Sequence, residues 1–203
     1  YLPKGIPSHD TFNRVFQILD NEIFERCFVN WTQSLCKQIE GVIAFDGKVI
    51  RGSHDLAHGN RSIWMVSAWS SANNLVLGQL KVEEKSNEIT AIPKLLDLLD
   101  VKGSTITIDA MGTQVEIAKK IVKKEADYVL AVKGNQKDLY DEVKETFDRT
   151  PIKKLTDTNE TIALGHSRLE FRRCYVTDNL DWFSPKTSEI WKEECKVKSL
   201  IKM

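Results

Sequence analysis

Two stretches carry residues that could do chemistry together, Val42-Ile43-Ala44-Phe45-Asp46-Gly47-Lys48 and Thr105-Ile106-Thr107-Ile108-Asp109-Ala110-Met111-Gly112. Each is an apolar, β-branched run that ends on an aspartate, with glycine within the next three residues. Such a run predicts a buried strand, and the glycine predicts the turn that stops it. Two strands of this kind lying side by side would bring two carboxylates to one edge of a sheet. Paired carboxylates repel unless a cation neutralises them. Magnesium suits an all-oxygen site of this size, because it takes one or two carboxylates and keeps waters and phosphate oxygens as its other ligands. The plainer alternative is that each aspartate merely begins a turn. The repetition of the same context at Asp46 and Asp109 favours a shared site.

Other reactive residues form weaker patterns. His54 and His58 stand four apart, but Gly52 and Gly59 bracket them and no glutamate completes an HExxH motif, so they read as loop residues. Cys27, Cys36, Cys174 and Cys195 show neither a CxxC pair nor zinc-ligand spacing and read as reduced thiols of a cytosolic protein. From His166 to Arg172 the chain alternates, with His166, Arg168, Glu170 and Arg172 on one face and Leu169 and Phe171 on the other. This is the pattern of a half-exposed strand. Glu170 can then serve as a ligand or as the acid of an intrastrand ion-pair stripe. The two flanking arginines favour the stripe, since guanidinium groups beside a bound cation are electrostatically unfavourable.

The elements that must position these residues follow from composition and periodicity. The 203 residues are 41% hydrophobic and 29% charged, as in an ordinary globular domain able to bury a core. Lys+Arg and Asp+Glu both number 29, so net charge is zero and a protein that coats nucleic acid over its whole surface is disfavoured; a local basic patch is not. No apolar run approaches the roughly 20 residues of a membrane span, no signal peptide is present, and no membrane partner is expected. The start at Tyr1-Leu2-Pro3, without methionine, suggests a fragment.

Residues 1–40 read as a helical segment. Ser8 is a good N-cap for a helix with Phe12, Val15, Phe16 and Leu19 on one face, and a second helix carries Ile23, Phe24, Cys27, Phe28, Trp31 and Leu35. The polar first turn, with His9, Asp10, Asn13 and Arg14, suits either a helical appendage or a pair of helices that touches DNA. Residues 41–150 read as the core: strands at Val42–Asp46, Ser62–Ser70 and Leu75–Val82, a helix from Ser86-Asn87-Glu88 with Pro93 in its first turn, a strand to Asp109, a helix near Val115–Lys124, a strand at Asp127–Val132 and a charged helix to about Phe147. An antiparallel meander followed by parallel strands makes a mixed α/β fold. Residues 151–203 read as a β-rich extension.

With both aspartates placed, the chain resembles the H-repeat-associated, Rhs-linked insertion-sequence transposases of the DDE superfamily, whose core is RNase H-like. The stretches that carry the resemblance are Gly5-Ile-Pro-Ser-His-Asp-Thr-Phe12, Phe45-Asp-Gly-Lys48, Glu84-Lys-Ser-Asn-Glu-Ile-Thr-Ala-Ile-Pro93, Ile108-Asp-Ala-Met-Gly112, Lys133-Gly-Asn-Gln136 and His166-x-Arg-x-Glu-x-Arg172. Each is weak alone; in this order they are strong.

The resemblance implies that Asp46 and Asp109 are the first two metal-binding carboxylates, holding Mg2+ or Mn2+. It also implies cleavage of DNA at insertion-sequence ends, strand transfer by the freed 3′-hydroxyl, a homodimer during transposition, and a place in the bacterial cytoplasm at the nucleoid. Lys48, Arg51, Lys133, Arg168 and Arg172 are candidates for the phosphate backbone. Asn135 and Gln136 would contact DNA or cap the following helix. The resemblance implies a third carboxylate, a glutamate on a helix near the C-terminus of the full-length protein; nothing after Glu170 here fits it, which makes Glu170 the tempting local substitute. Activity of the 203 residues by themselves turns on that third carboxylate. The alternatives are an inactive remnant that only binds DNA and a small nuclease that uses Glu170. Thr113 and Ser167 stand where the family usually has cysteine and glycine, with no expected effect on the chemistry.

Overall fold

A computed structural model describes residues 5–35, 41–53, 62–82, 88–165 and 168–203, except for the side chains of Leu35, Gly165 and Arg168. The chain divides into two compact units, Tyr1–Ser104 and Thr105–Met203. His54, His58, the Ser86-Asn87 helix start, His166 and Ser167 lie outside the described residues.

The first unit opens with α1 (His9–Ile18) and α2 (Asn21–Leu35). Ser8 caps α1 as expected, its hydroxyl accepting from the Thr11 N–H at 3.3 Å. Asp20 does the same for α2, with Oδ1 accepting from Glu22 and Ile23 at 3.0 and 2.9 Å. α2 is fixed to the sheet by Thr32, whose buried hydroxyl donates to the Leu77 carbonyl at 2.9 Å. Strands β1 (Val42–Val49), β2 (Trp64–Ser70) and β3 (Leu75–Lys81) form the antiparallel meander. The β2–β3 hairpin turns at residues 71–74, where Asn74 takes φ 50°. Ile43, Phe45, Val66, Ala68 and Leu77 are buried along the strands, beneath α3 (Glu88–Leu98), which contributes Ala91, Ile92, Leu95 and Leu96.

Two expectations need correction here. β1 does not stop at Asp46. It continues through Gly47 to Val49 because β2 goes on pairing with it, Gly47 opposite Val66 and Val49 opposite Trp64. Pro93 stands inside α3, past its first turn. The lost backbone bond and ring clash cost about 3 kcal/mol. Burial of four apolar side chains on the same helix, about 1.5–3 kcal/mol for each of the larger ones, outweighs that.

In the second unit, β4 (Thr105–Ile108) and β5 (Asp127–Leu130) are parallel, with Thr105 opposite Asp127 and Ile108 opposite Leu130. The helix α4 (Val115–Lys123) makes the crossover that parallel strands require. A 3-10 turn at Gly134–Gln136 leads into α5 (Lys137–Arg149). β6 (Asp157–Gly165), β7 (Arg168–Thr177) and β8 (Leu200–Lys202) form a separate antiparallel sheet in that order. Between β7 and β8, the short helix α6 (Pro185–Thr187) runs into a π-helical stretch, Ser188–Glu194. Ala118 and Phe147 from α4 and α5 share one core with Leu180, Phe183, Trp191, Cys195 and Leu200. Antiparallel strands first and parallel strands second make the mixed α/β class that the sequence implies. Among the described residues, no helix is long and apolar enough to cross a membrane.

Candidate metal-binding carboxylates and the loop behind Asp109

Alternation along β1 buries Ile43 and Phe45 and leaves Asp46 and Lys48 exposed on the opposite face. Asp46 pairs in register with Ser67, and its carboxylate has no hydrogen-bond or ion-pair partner among the described residues. Gly47, one residue on, points to the buried side. A Cβ there would run into the Glu88 carboxylate, which is itself buried at the start of α3. Glycine at 47 leaves room for the Glu88 side chain and, since β1 stays paired with β2 on both sides of it, makes no turn. Arg51 is exposed in the turn that follows β1.

Asp109 stands at the carboxyl end of a parallel strand, the end at which open α/β sheets bind ligands. Its Oδ1 accepts from the N–H groups of Met111 at 3.0 Å and Gly112 at 3.4 Å, closing an Asx turn. The residue remains exposed. Behind it the loop is held by side chains. Thr113, 1% exposed, places its hydroxyl 2.6 Å from the Ala131 carbonyl and 3.2 Å from that of Asp109. The tips of β4 and β5 are thus tied through one hydroxyl. Asn135 Nδ2 donates to the Ala110 carbonyl at 2.9 Å, and Gln136 Nε2 donates to the Thr113 carbonyl. Gln136 occupies the cap position of α5 without making a side-chain cap bond. The capping role expected for these two amides is therefore corrected: their donors turn back to the loop of Asp109. Lys133 is exposed at the head of the same turn. Thr113, dismissed on sequence as irrelevant to the chemistry, is the residue that sequence reasoning missed.

Glu170 lies on β7 and receives Arg172 Nη2 on Oε2 at 2.7 Å, the intrastrand ion pair that the alternation suggests. The opposite face departs from expectation. Leu169 and Phe171 are exposed, as are Ile162 and Leu164 across from them on β6, so this part of the hairpin has solvent on both faces. Among the described residues, no three His, Cys, Asp or Glu side chains are gathered as a metal would need from protein alone. Each aspartate, taken in its own unit, is an exposed hard-oxygen donor of the kind a magnesium-type ion takes one or two of beside water and phosphate.

Residues 37–192 match the family model for the transposase DDE domain, and residues 1–32 match that of a DDE-transposase-associated segment. The chain is 49% identical over 177 residues to the putative transposase YncI of Escherichia coli K12, covering 86% of this chain and 71% of that one. It is 44% identical over 194 residues to the H repeat-associated putative transposase YhhI of the same strain, covering 93% and 50%. With YbfD, another H repeat-associated putative transposase of that strain, identity is 43% over 180 residues, covering 86% and 70%. The chain spans 45% to 71% of the length of the curated relatives it matches. The chain belongs to the transposase DDE domain family and, within it, to the H repeat-associated transposases.

Proposed function

We propose that this chain is the catalytic part of a DDE-type DNA transposase that cuts DNA at insertion-sequence ends and joins the freed 3′-hydroxyl to a target strand. The observation that carries the proposal is Asp109 in its braced turn at the end of a parallel strand, in a chain of this family. Asp46 and Asp109 are the residues that would hold Mg2+ or Mn2+. The bound ion supplies charge stabilisation at the phosphoryl oxygens. Cleavage consumes one water and breaks one P–O bond, leaving a 3′-hydroxyl and a 5′-phosphate. Strand transfer then exchanges one phosphodiester for another with no net loss of bonds.

Lys48 and Arg51 beside Asp46, and Lys133 beside the Asp109 loop, would meet backbone phosphates, Lys as point charges and Arg as a fork. Arg168 and Arg172 belong to the same proposed DNA surface, with Arg172 already shared with Glu170. We assign catalysis to a core at residues 41–150, preceded by the helical segment 1–40 and followed by the extension 151–203. The working form is a homodimer on DNA in the bacterial cytoplasm. Nicking of labelled insertion-sequence-end DNA by the full-length protein, with Mn2+ or Mg2+ and with EDTA, tests the assignment. Metal-dependent cuts that vanish in Asp46→Asn and Asp109→Asn support it, and metal-independent cutting overturns it.

A second reading is an inactive remnant that binds DNA without cutting it. The engagement of Glu170 by Arg172 favours it for the 203 residues taken alone, since the local candidate for a third carboxylate is held in an ion pair. Binding without cleavage by this chain, with cleavage by the full-length protein, is its signature. The nuclease that uses Glu170 has less support, because that carboxylate already accepts from Arg172.

A further inference from the structure

We infer that Asn135, Gln136 and Thr113 are positioning residues for Asp109: the Lys133-Gly134-Asn135-Gln136 turn braces the metal-binding loop and is not primarily a DNA contact. The inference rests on the proposed metal role of Asp109. Besides Met111, which accepts from the neighbouring Gln114, three backbone carbonyls of the short 109–113 segment, those of Asp109, Ala110 and Thr113, each accept from a side chain. Two of the three donors come from one turn more than twenty residues away in sequence. The third is a buried hydroxyl that also reaches the first carbonyl beyond β5, that of Ala131. Asp109 adds two bonds of its own to Met111 and Gly112. An exposed carboxylate at a strand end would otherwise sample several orientations. Here its backbone is fixed from behind while its side chain stays accessible.

This arrangement is what a metal ligand needs from its surroundings. Outer partners that orient a ligand typically set metal affinity by about 10–100-fold. The chemistry of the amides also discriminates between roles. Each uses a donor on the loop, and neither caps α5.

The test is Mn2+ binding followed by electron paramagnetic resonance, on the wild type and on Asn135→Ala, Gln136→Ala and Asp109→Asn. DNA binding in EDTA and thermal melting of the apo forms are measured in parallel. The expected result is an affinity loss of about tenfold or more in each amide variant, with DNA binding in EDTA unchanged. In the Asp109→Asn background, Gln136→Ala should cause no further loss, a result that general destabilisation would not produce. Asn135 is exposed, so Asn135→Ala folds even if Gln136→Ala does not. If Asp109→Asn weakens Mn2+ binding and both amide variants bind like wild type, the bracing role is overturned while the metal assignment stands. If Asp109→Asn binds Mn2+ like wild type, the metal assignment fails and the brace with it. Weaker DNA binding in EDTA with unchanged Mn2+ affinity would return the two amides to the DNA surface.

Discussion

Replacing Thr113 with valine removes one hydroxyl from a site that is 1% exposed and leaves shape and volume nearly unchanged. The loss is the bond at 2.6 Å to Ala131, shared with the longer contact at 3.2 Å to Asp109. A hydrogen bond of this kind contributes about 0.5–1.5 kcal/mol net, and an orphaned buried acceptor costs about 1–3 kcal/mol. Ala131 is exposed, so water can reach part of that carbonyl, which places the expected cost at about 1–2 kcal/mol. For a chain of this size that corresponds to a melting point lower by about 2–4 °C per kcal/mol. Thr113→Ser is the control, since it keeps the donor and loses only a methyl group, about 0.8 kcal/mol. Thr113→Cys keeps only a weak donor and should fall between wild type and valine. Urea unfolding monitored by tryptophan fluorescence gives the free energies. If valine is as stable as wild type within about 0.3 kcal/mol, the hydroxyl bridge between the two strand tips contributes nothing. The reasoning for the whole braced loop would then fail.

Gly47→Ala should destabilise the first unit by about 1–3 kcal/mol, because the new Cβ displaces the Glu88 carboxylate from a buried position; urea unfolding checks it. Glu170→Gln breaks an exposed pair and should change stability by no more than about 1 kcal/mol, with Mn2+ affinity unaltered in the same resonance assay. Burial pushes the Cys195 thiol up to about 11, so it stays protonated well above neutral pH. With only about one molecule in a thousand as thiolate at pH 8, Cys195 should resist iodoacetamide while the exposed Cys27 is alkylated, as peptide mass spectrometry would show.

The parts of the fold legible in the sequence are those whose burial leaves a period. β1, β4, α3, α4 and α5 carry apolar residues at strand or helix spacing because one face of each meets a core, whereas α1 has the same spacing with its apolar face exposed. β6 left no such trace, since its described residues are exposed and a strand with solvent on both faces has no reason to alternate. Gly47 was misleading for a different reason. Glycine after an aspartate has the same spelling whether it frees the chain to turn or leaves room for a side chain distant in sequence, and only the continued pairing with β2 separates the two. Asp46 and Asp109 stood out in the sequence because an aspartate after an apolar, β-branched run is unusual enough to notice, although only Asp109 follows the end of its strand. What supports Asp109 was not legible, because Thr113, Asn135 and Gln136 act through backbone carbonyls across a parallel crossover. Local sequence holds no record of that reach.

The central claim is that Asp46 and Asp109 hold a divalent ion, and it can be tested by mapping where the ion sits. Fe2+ substituted for Mg2+ generates hydroxyl radicals in the presence of ascorbate and peroxide, and these cut the polypeptide beside the metal. Cleavage is expected near residues 46 and 109 in the full-length protein, suppressed by excess Mg2+ and lost from both positions in Asp109→Asn. Cleavage confined to other parts of the chain, or persisting at both positions in Asp109→Asn, would contradict it.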